Sequence, residues 1–186
     1  MKITILSGSS RPDNNTMRLA LAIANQLPEA QIIDFKDYDI PFPNQGGVDR
    51  TNLTAFQAQL LTAFEEAHLL FVLSPEYNWF PSAELINMVH QLANSSHIRI
   101  FNNKVFAFCG VSSGAGGRIP TIQLGNLFDK ILNVFNMNSI TSPKKFEARF
   151  IMDVLDKDGK SLGNSEFDAG LKQFIDHSVK LAKKWN

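Results

Sequence analysis

Ser7-Gly8-Ser9-Ser10-Arg11-Pro12-Asp13-Asn14-Asn15-Thr16 is the stretch on which the reading of the whole chain depends. It follows the apolar run Ile3-Thr4-Ile5-Leu6 and precedes a helical pattern in which Ala20, Ile23, Ala24 and Leu27 share one face. A strand, a small polar loop and a helix start bring hydroxyls, amides and unpaired backbone N–H groups together, and the helix dipole favours negative charge there. The loop lacks the Gly-x-Gly-x-x-Gly fingerprint of dinucleotide folds and the lysine of a P-loop. It offers Ser9, Arg11, Asn14, Asn15 and Thr16 instead. Asp13, Asn14 and Thr16 would serve equally well as helix caps. Ser9 and Arg11 point to a phosphate, because a plain cap needs no cation.

Outward from this stretch, strands and helices alternate. Gln31 to Phe35 reads as a second strand, and Leu69 to Leu73 and Val105 to Cys109 are continuous apolar runs, as in a parallel sheet buried on both faces. Helical spacing recurs in Leu53 to Ala67, Leu85 to Leu92, Leu124 to Phe135 and Phe167 to Ala182. A fifth strand is expected near Asn138 to Thr141, and Phe146 to Met152 reads as extended. This alternation predicts a doubly wound α/β sheet with right-handed crossovers and no second domain in residues 1–186.

Composition sets limits on function. The 186 residues carry 18 basic and 18 acidic side chains, which argues against a large nucleic-acid footprint and against a strongly acidic electron-carrier surface. The one cysteine, Cys109, cannot form an internal disulfide. The first apolar run is too short for a signal-peptide core and no stretch is long enough to span a membrane, so the expectation is a soluble, cytoplasmic protein. His68, His90 and His97 lack metal-ligand spacing, so no metal site is expected. Lys180, Lys183 and Lys184 read as a solvated helix end.

Ligands of such sheets bind beyond the carboxyl ends of the strands, beside the switch point. The loops that follow strands one, three and four are the unusual ones. Ser74-Pro75-Glu76-Tyr77-Asn78-Trp79-Phe80-Pro81 could pack beside an aromatic ligand or simply cover the core as an aromatic turn. Ser112-Ser113-Gly114-Ala115-Gly116-Gly117 could bring backbone close to a ligand or be a flexible turn.

Together these residues resemble the NAD(P)H-dependent FMN reductases of the flavodoxin-like superfold, which include quinone, azo and chromate reductases. Gly8-Ser9-Ser10-Arg11 with Asn15-Thr16 is similar to the family's phosphate loop. Pro75-Glu76-Tyr77-Asn78, with Leu85 and Asn87, is similar to its most recognisable motif, and Ser112 to Gly117 to the loop that borders the flavin. The resemblance implies a five-stranded parallel sheet of order 2-1-3-4-5 with helices on both faces. It implies that Ser9, Arg11, Asn14, Asn15 and Thr16 hold the FMN phosphate. Pro75, Glu76, Tyr77, Asn78, Ser113, Gly114, Gly116 and Gly117 would hold the rest of the cofactor. It also implies ping-pong hydride transfer from NADPH or NADH to quinones, free flavin or similar small acceptors, with no catalytic acid–base residue, in a homodimer or homotetramer.

The chain departs from that pattern in places. Asn14 stands where the family usually has Ser, Ala83 where it has Gly, and Ile86 and His90 where it has Lys and Asp. Trp79 stands where Gly is usual, and with Phe80 it is expected to line the substrate pocket. The apolar helix Leu85 to Leu92 and the Trp79–Phe80 pair are the candidates for a surface between protomers. Two rivals remain. Gly110-Val111-Ser112-Ser113-Gly114 fits the serine-hydrolase elbow, with Asp153 or Asp156 and then His177 in hydrolase order, but Gly116, Gly117 and Pro120 delay the helix that should follow. A non-enzymatic flavodoxin-type electron carrier is the other rival. Neutral charge and Arg11 in a short first loop argue against it.

Overall fold

The computed structural model describes residues 1–185. Its strands are β1 (Ile3–Ser7), β2 (Gln31–Asp34), β3 (Leu69–Pro75), β4 (Val105–Val111), β5 (Ile140–Thr141) and β6 (Phe146–Ala148). The helices are α1 (Asn15–Ala24), α2 (Ala55–Glu66), α3 (Ala83–Leu92), α4 (Arg118–Val134), α5 (Ile151–Val154) and α6 (Ser165–Trp185). The sheet order is β2-β1-β3-β4-β5, as the family resemblance implies, with every pairing parallel.

The fifth position of the sheet is filled by two short strands rather than one. β5 pairs with Val105 and Phe106, and β6 pairs further along the same β4 edge, with Cys109 to Val111. The expected extension to Met152 does not occur. The N–H of Phe150 donates to Gly114 O and that of Ile151 to Ser112 O. Phe150 adopts φ 46°, and the chain turns into α5 against the loop after β4.

The central strands are buried from end to end, so alternate residues serve opposite faces. Leu70, Val72, Phe106 and Phe108 pack in the core that contains α2, α3 and α4. Leu69, Phe71, Leu73, Val105, Ala107 and Cys109 pack with α1, α5 and α6. Leu85, Met88, Val89 and Leu92 of α3 lie wholly inside the first core, so that apolar face is spent within the chain and is not a surface between protomers. Burial pushes the Cys109 thiol well up, as suits an inert core residue.

One buried cation sits at the opposite end of the sheet from the loops named above. Lys104 is 2% exposed, and its Nζ donates to Phe64 O at 2.6 Å and Ala67 O at 3.2 Å, carbonyls at the end of α2. Desolvation, only partly opposed by Glu65, pushes its pKa down to about 8. An unfolded lysine titrates near ~10.4, so across the window between these values the unfolded chain holds a proton that the folded chain has lost. This residue therefore adds stability as pH rises through the window. Lys104→Met removes that dependence. In urea unfolding at pH 7.5 and pH 10, the wild type should gain stability relative to the variant at the higher pH.

Candidate functional site

The order 2-1-3 places the switch point between β1 and β3, because the chain leaves β1 toward one edge and reaches β3 on the other side. Register brings the strand ends together: Ser7 lies beside Leu73, and Pro75 beside Val111. A cleft of about 540 Å³ opens there, lined from the first loop by Ser9, Arg11, Pro12, Asp13, Asn14 and Asn15. Pro75, Glu76, Tyr77 and Asn78 line it from the loop after β3, and Val111, Ser112 and Ser113 from the end of β4.

Asn14 and Thr16 do local structural work. Asn14 is the N-cap of α1 and accepts the Met17 N–H at 2.8 Å, while its Nδ2 donates to Arg11 O at 3.0 Å. Thr16 is fully buried, with its hydroxyl 2.9 Å from that of Ser7 and a further hydrogen bond to Asn14. Asn14 still presents a face to the cleft; Thr16 is not among its lining residues. Ser9 and Arg11 both engage the second loop. The Ser9 hydroxyl is 2.8 Å from that of Tyr77, and the Arg11 guanidinium lies 4.5 Å from the centre of the Tyr77 ring. Arg11 is the one cation among the described residues that line the cleft.

Glu76 ties the second loop to the third. Its N–H donates to Val111 O, and its carboxylate accepts the Gly117 N–H at 2.6 Å. The carboxylate thus sits at the N-terminus of α4, where the dipole favours it. Gly117 holds φ 108°, a conformation that side chains rarely tolerate. Gly116 and Gly117 lie against the Glu76 carboxylate, whereas Gly114 faces open space; none of the three lines the cleft, and Ser113 does.

Several polar residues fix the loops; of these, Asn87 entered the sequence reading only through the family motif, and Ser82 and Gln91 were given no role. Ser82 caps α3 and donates to Gly8 O at 2.6 Å, while its N–H reaches Ser74 Oγ at 3.2 Å. The Asn87 amide donates to Tyr38 OH, Ile40 O and Pro41 O, and Gln91 to Gly46 O, which pins the long Pro/Gly-rich loop to α3. Burial raises the Tyr38 pKa to about 12. Two amides four residues apart on an otherwise apolar helix face were the available signal.

The hydrolase arrangement is not assembled. Ser112 Oγ accepts the Gly114 N–H at 3.1 Å, and no hydrogen bond joins it to an imidazole among the described residues. His177 lies within α6, with its Nε2 buried and unpartnered.

A family model for NADPH-dependent FMN reductases matches residues 1–147. The chain belongs to that family. No curated protein matches the chain. Among solved structures, FerB from Paracoccus denitrificans, a flavoenzyme NAD(P)H:(acceptor) oxidoreductase, aligns with a TM-score of 0.76 at 16% identity, covering 98% of this chain and 97% of that one. An NADPH-quinone reductase from P. pentosaceus aligns at TM-score 0.60 and 11% identity over 96% and 98% of the two chains. An archaeal flavodoxin aligns at TM-score 0.60 and 14% identity over 97% and 99%. At these identities the solved structures speak for the flavodoxin-like fold. No helix among the described residues is long and apolar enough to cross a membrane.

Proposed function

We propose that this family member binds FMN in the cleft and uses it to pass electrons from NADPH or NADH to quinones, free flavin or similar small acceptors, by a ping-pong exchange. The observation that carries this reading is convergence. A cation, hydroxyls and the start of α1 meet an aromatic loop and a serine pair in one cleft, whose volume suits a ligand of this size. A phosphate at the first loop would be held by Ser9, Arg11, Asn14 and Asn15 and by the first N–H groups of α1, with Thr16 supporting the cap from below. The remainder of the cofactor would lie along Pro75 to Asn78 and Ser113. Gly116 and Gly117 would shape the wall through the Glu76 contact, and Gly114 would leave the loop open beside it.

FMN, when bound, supplies the hydride chemistry, and the protein supplies position, exclusion of water and electrostatics. Trp79 and Phe80 border the acceptor's approach; both are well exposed. No side chain is assigned as a catalytic acid or base. We place the protein in the cytoplasm and expect a homodimer or homotetramer. The support for assembly is exposed apolar surface at Ile119, Phe150 and Met152, around the loop after β4.

Absorbance titration of the purified protein with FMN tests the proposal. A saturable, perturbed flavin band is expected, together with NADPH oxidation that depends on a small quinone. Absence of FMN binding at micromolar concentration would sink the proposal. Binding without NADPH turnover would leave the electron-carrier reading.

A further inference from the structure

Tyr77 to Phe80 form a two-residue hairpin, closed by Tyr77 N–H to Phe80 O at 3.0 Å and Phe80 N–H to Tyr77 O at 3.1 Å. Both tip residues are left-handed, Asn78 at φ 49° and Trp79 at φ 64°. Turns of this kind favour Asn followed by Gly. Asn78 fits; Trp79 does not, and a bulky L-residue there strains the backbone. Packing within the chain does not offset that strain, since the indole is 73% exposed and the neighbouring Phe80 ring 55%. The indole N–H has no hydrogen-bond partner among the described residues. Yet the base of the hairpin is rigid. Pro81 and Ser82 are buried, Ser82 is bonded to Ser74 and Gly8, and Tyr77 and Asn78 line the cleft.

A strained, exposed aromatic on a rigid base at the rim of a cleft is oriented for something outside the chain. We propose that Trp79 is a specificity-determining residue. Its indole is the surface on which flat aromatic acceptors stack as they enter, and small non-aromatic oxidants gain nothing from it. This inference rests on the cleft being the flavin site. Stacking on an indole in place of water is worth about a three- to tenfold preference.

Opposite effects on stability and on selectivity make the test specific. Trp79→Gly relieves the turn, so the Tm of the protein without FMN should rise by about 2–4 °C. Its affinity for FMN should stay within about twofold of wild type, since the indole is not among the residues lining the cleft. At saturating NADPH, the ratio of kcat/KM for menadione to that for ferricyanide should fall about fivefold in Trp79→Gly and be retained in Trp79→Phe. A Trp185→Phe variant leaves Trp79 as the only indole, and menadione should then quench its emission saturably. An unchanged ratio, unsaturable quenching or a change in molecular mass on Trp79→Gly would each overturn the inference. Failure of wild type to bind FMN would instead remove the reading beneath it.

Discussion

Gly110→Ala should cost the fold at least about 3 kcal/mol, which for a chain of this size lowers Tm by roughly 6–12 °C. A Cβ on Gly110 would lie 1.7 Å from Gly117 O, 2.6 Å from its carbonyl carbon and 3.0 Å from its Cα. All three atoms are backbone, so no side chain can rotate away. Either β4 must give, where Gly110 sits in a wholly buried strand paired with β3 and β6, or Gly117 must move and carry the start of α4 with it. The second route pulls the Gly117 N–H from Glu76 and opens the wall of the cleft. FMN affinity should therefore fall along with stability. Gly114→Ala is the control: no atom lies within 4 Å of its would-be Cβ, and the change should fall within about 0.5 kcal/mol. The two glycines bracket the hydrolase-like Gly-x-Ser-x-Gly pattern. A nucleophile elbow needs both for its strained turn, whereas here only the first is sterically required. Thermal melts of both variants, with and without FMN, separate these cases. Equal losses at Gly110 and Gly114 would contradict the packing described.

What could be read from the sequence followed from short-range pattern. β3 and β4 are continuous apolar runs because both faces of the sheet are covered, and α1, α2 and α4 keep their apolar residues at helical spacing for the same reason. The first loop was legible because its cation and hydroxyls lie within a few residues of one another. What escaped depends on contacts between distant segments. The amide pair Asn87 and Gln91 stands out locally on α3, but nothing local shows that it anchors residues 36–50, since the acceptors lie more than forty positions away. The sharp turn at Phe150 comes from its bond to Gly114 O, which ends the expected strand early. The apolar face of α3 looked like a surface for another protomer because spacing shows that a face is apolar and not what covers it; here β3, β4 and the neighbouring helices do.

The division of labour within Ser7 to Thr16 was also hidden. Asn14 and Thr16 resemble ligand-binding residues equally in composition, yet one caps α1 and the other is buried beneath it. Capping does not exclude the proposed anion site, because Asn14 both caps α1 and lines the cleft. The cap fixes the first turn of α1, whose Asn15 lines the cleft. On the proposed reading, what separates this loop from a plain helix start is its cation, Arg11.

Arg11→Ala should weaken FMN binding by about 10- to 100-fold while leaving riboflavin affinity nearly unchanged. A hydrogen bond to a charged group contributes about 1.5–3 kcal/mol, and a phosphate is such a group whereas a free hydroxyl is not. The loss is expected near the upper part of that range because no second cation lines the cleft among the described residues. The other ionisable residues lining the cleft are Asp13, Glu76 and Tyr77, so removing Arg11 leaves two carboxylates facing a dianion. Arg11 also lies over the Tyr77 ring, a contact that could order the second loop without any ligand. The two roles predict different outcomes. A phosphate partner discriminates FMN from riboflavin and loses strength as salt rises. A loop-ordering partner weakens both ligands together, and Tyr77→Leu then reproduces the defect. Isothermal titration of wild type, Arg11→Ala and Arg11→Lys with both ligands, at low and high salt, decides between them. Lysine keeps the charge but loses the planar fork, so it should recover only part of the FMN affinity. If riboflavin and FMN weaken equally in Arg11→Ala, the phosphate does not sit at Ser7 to Thr16.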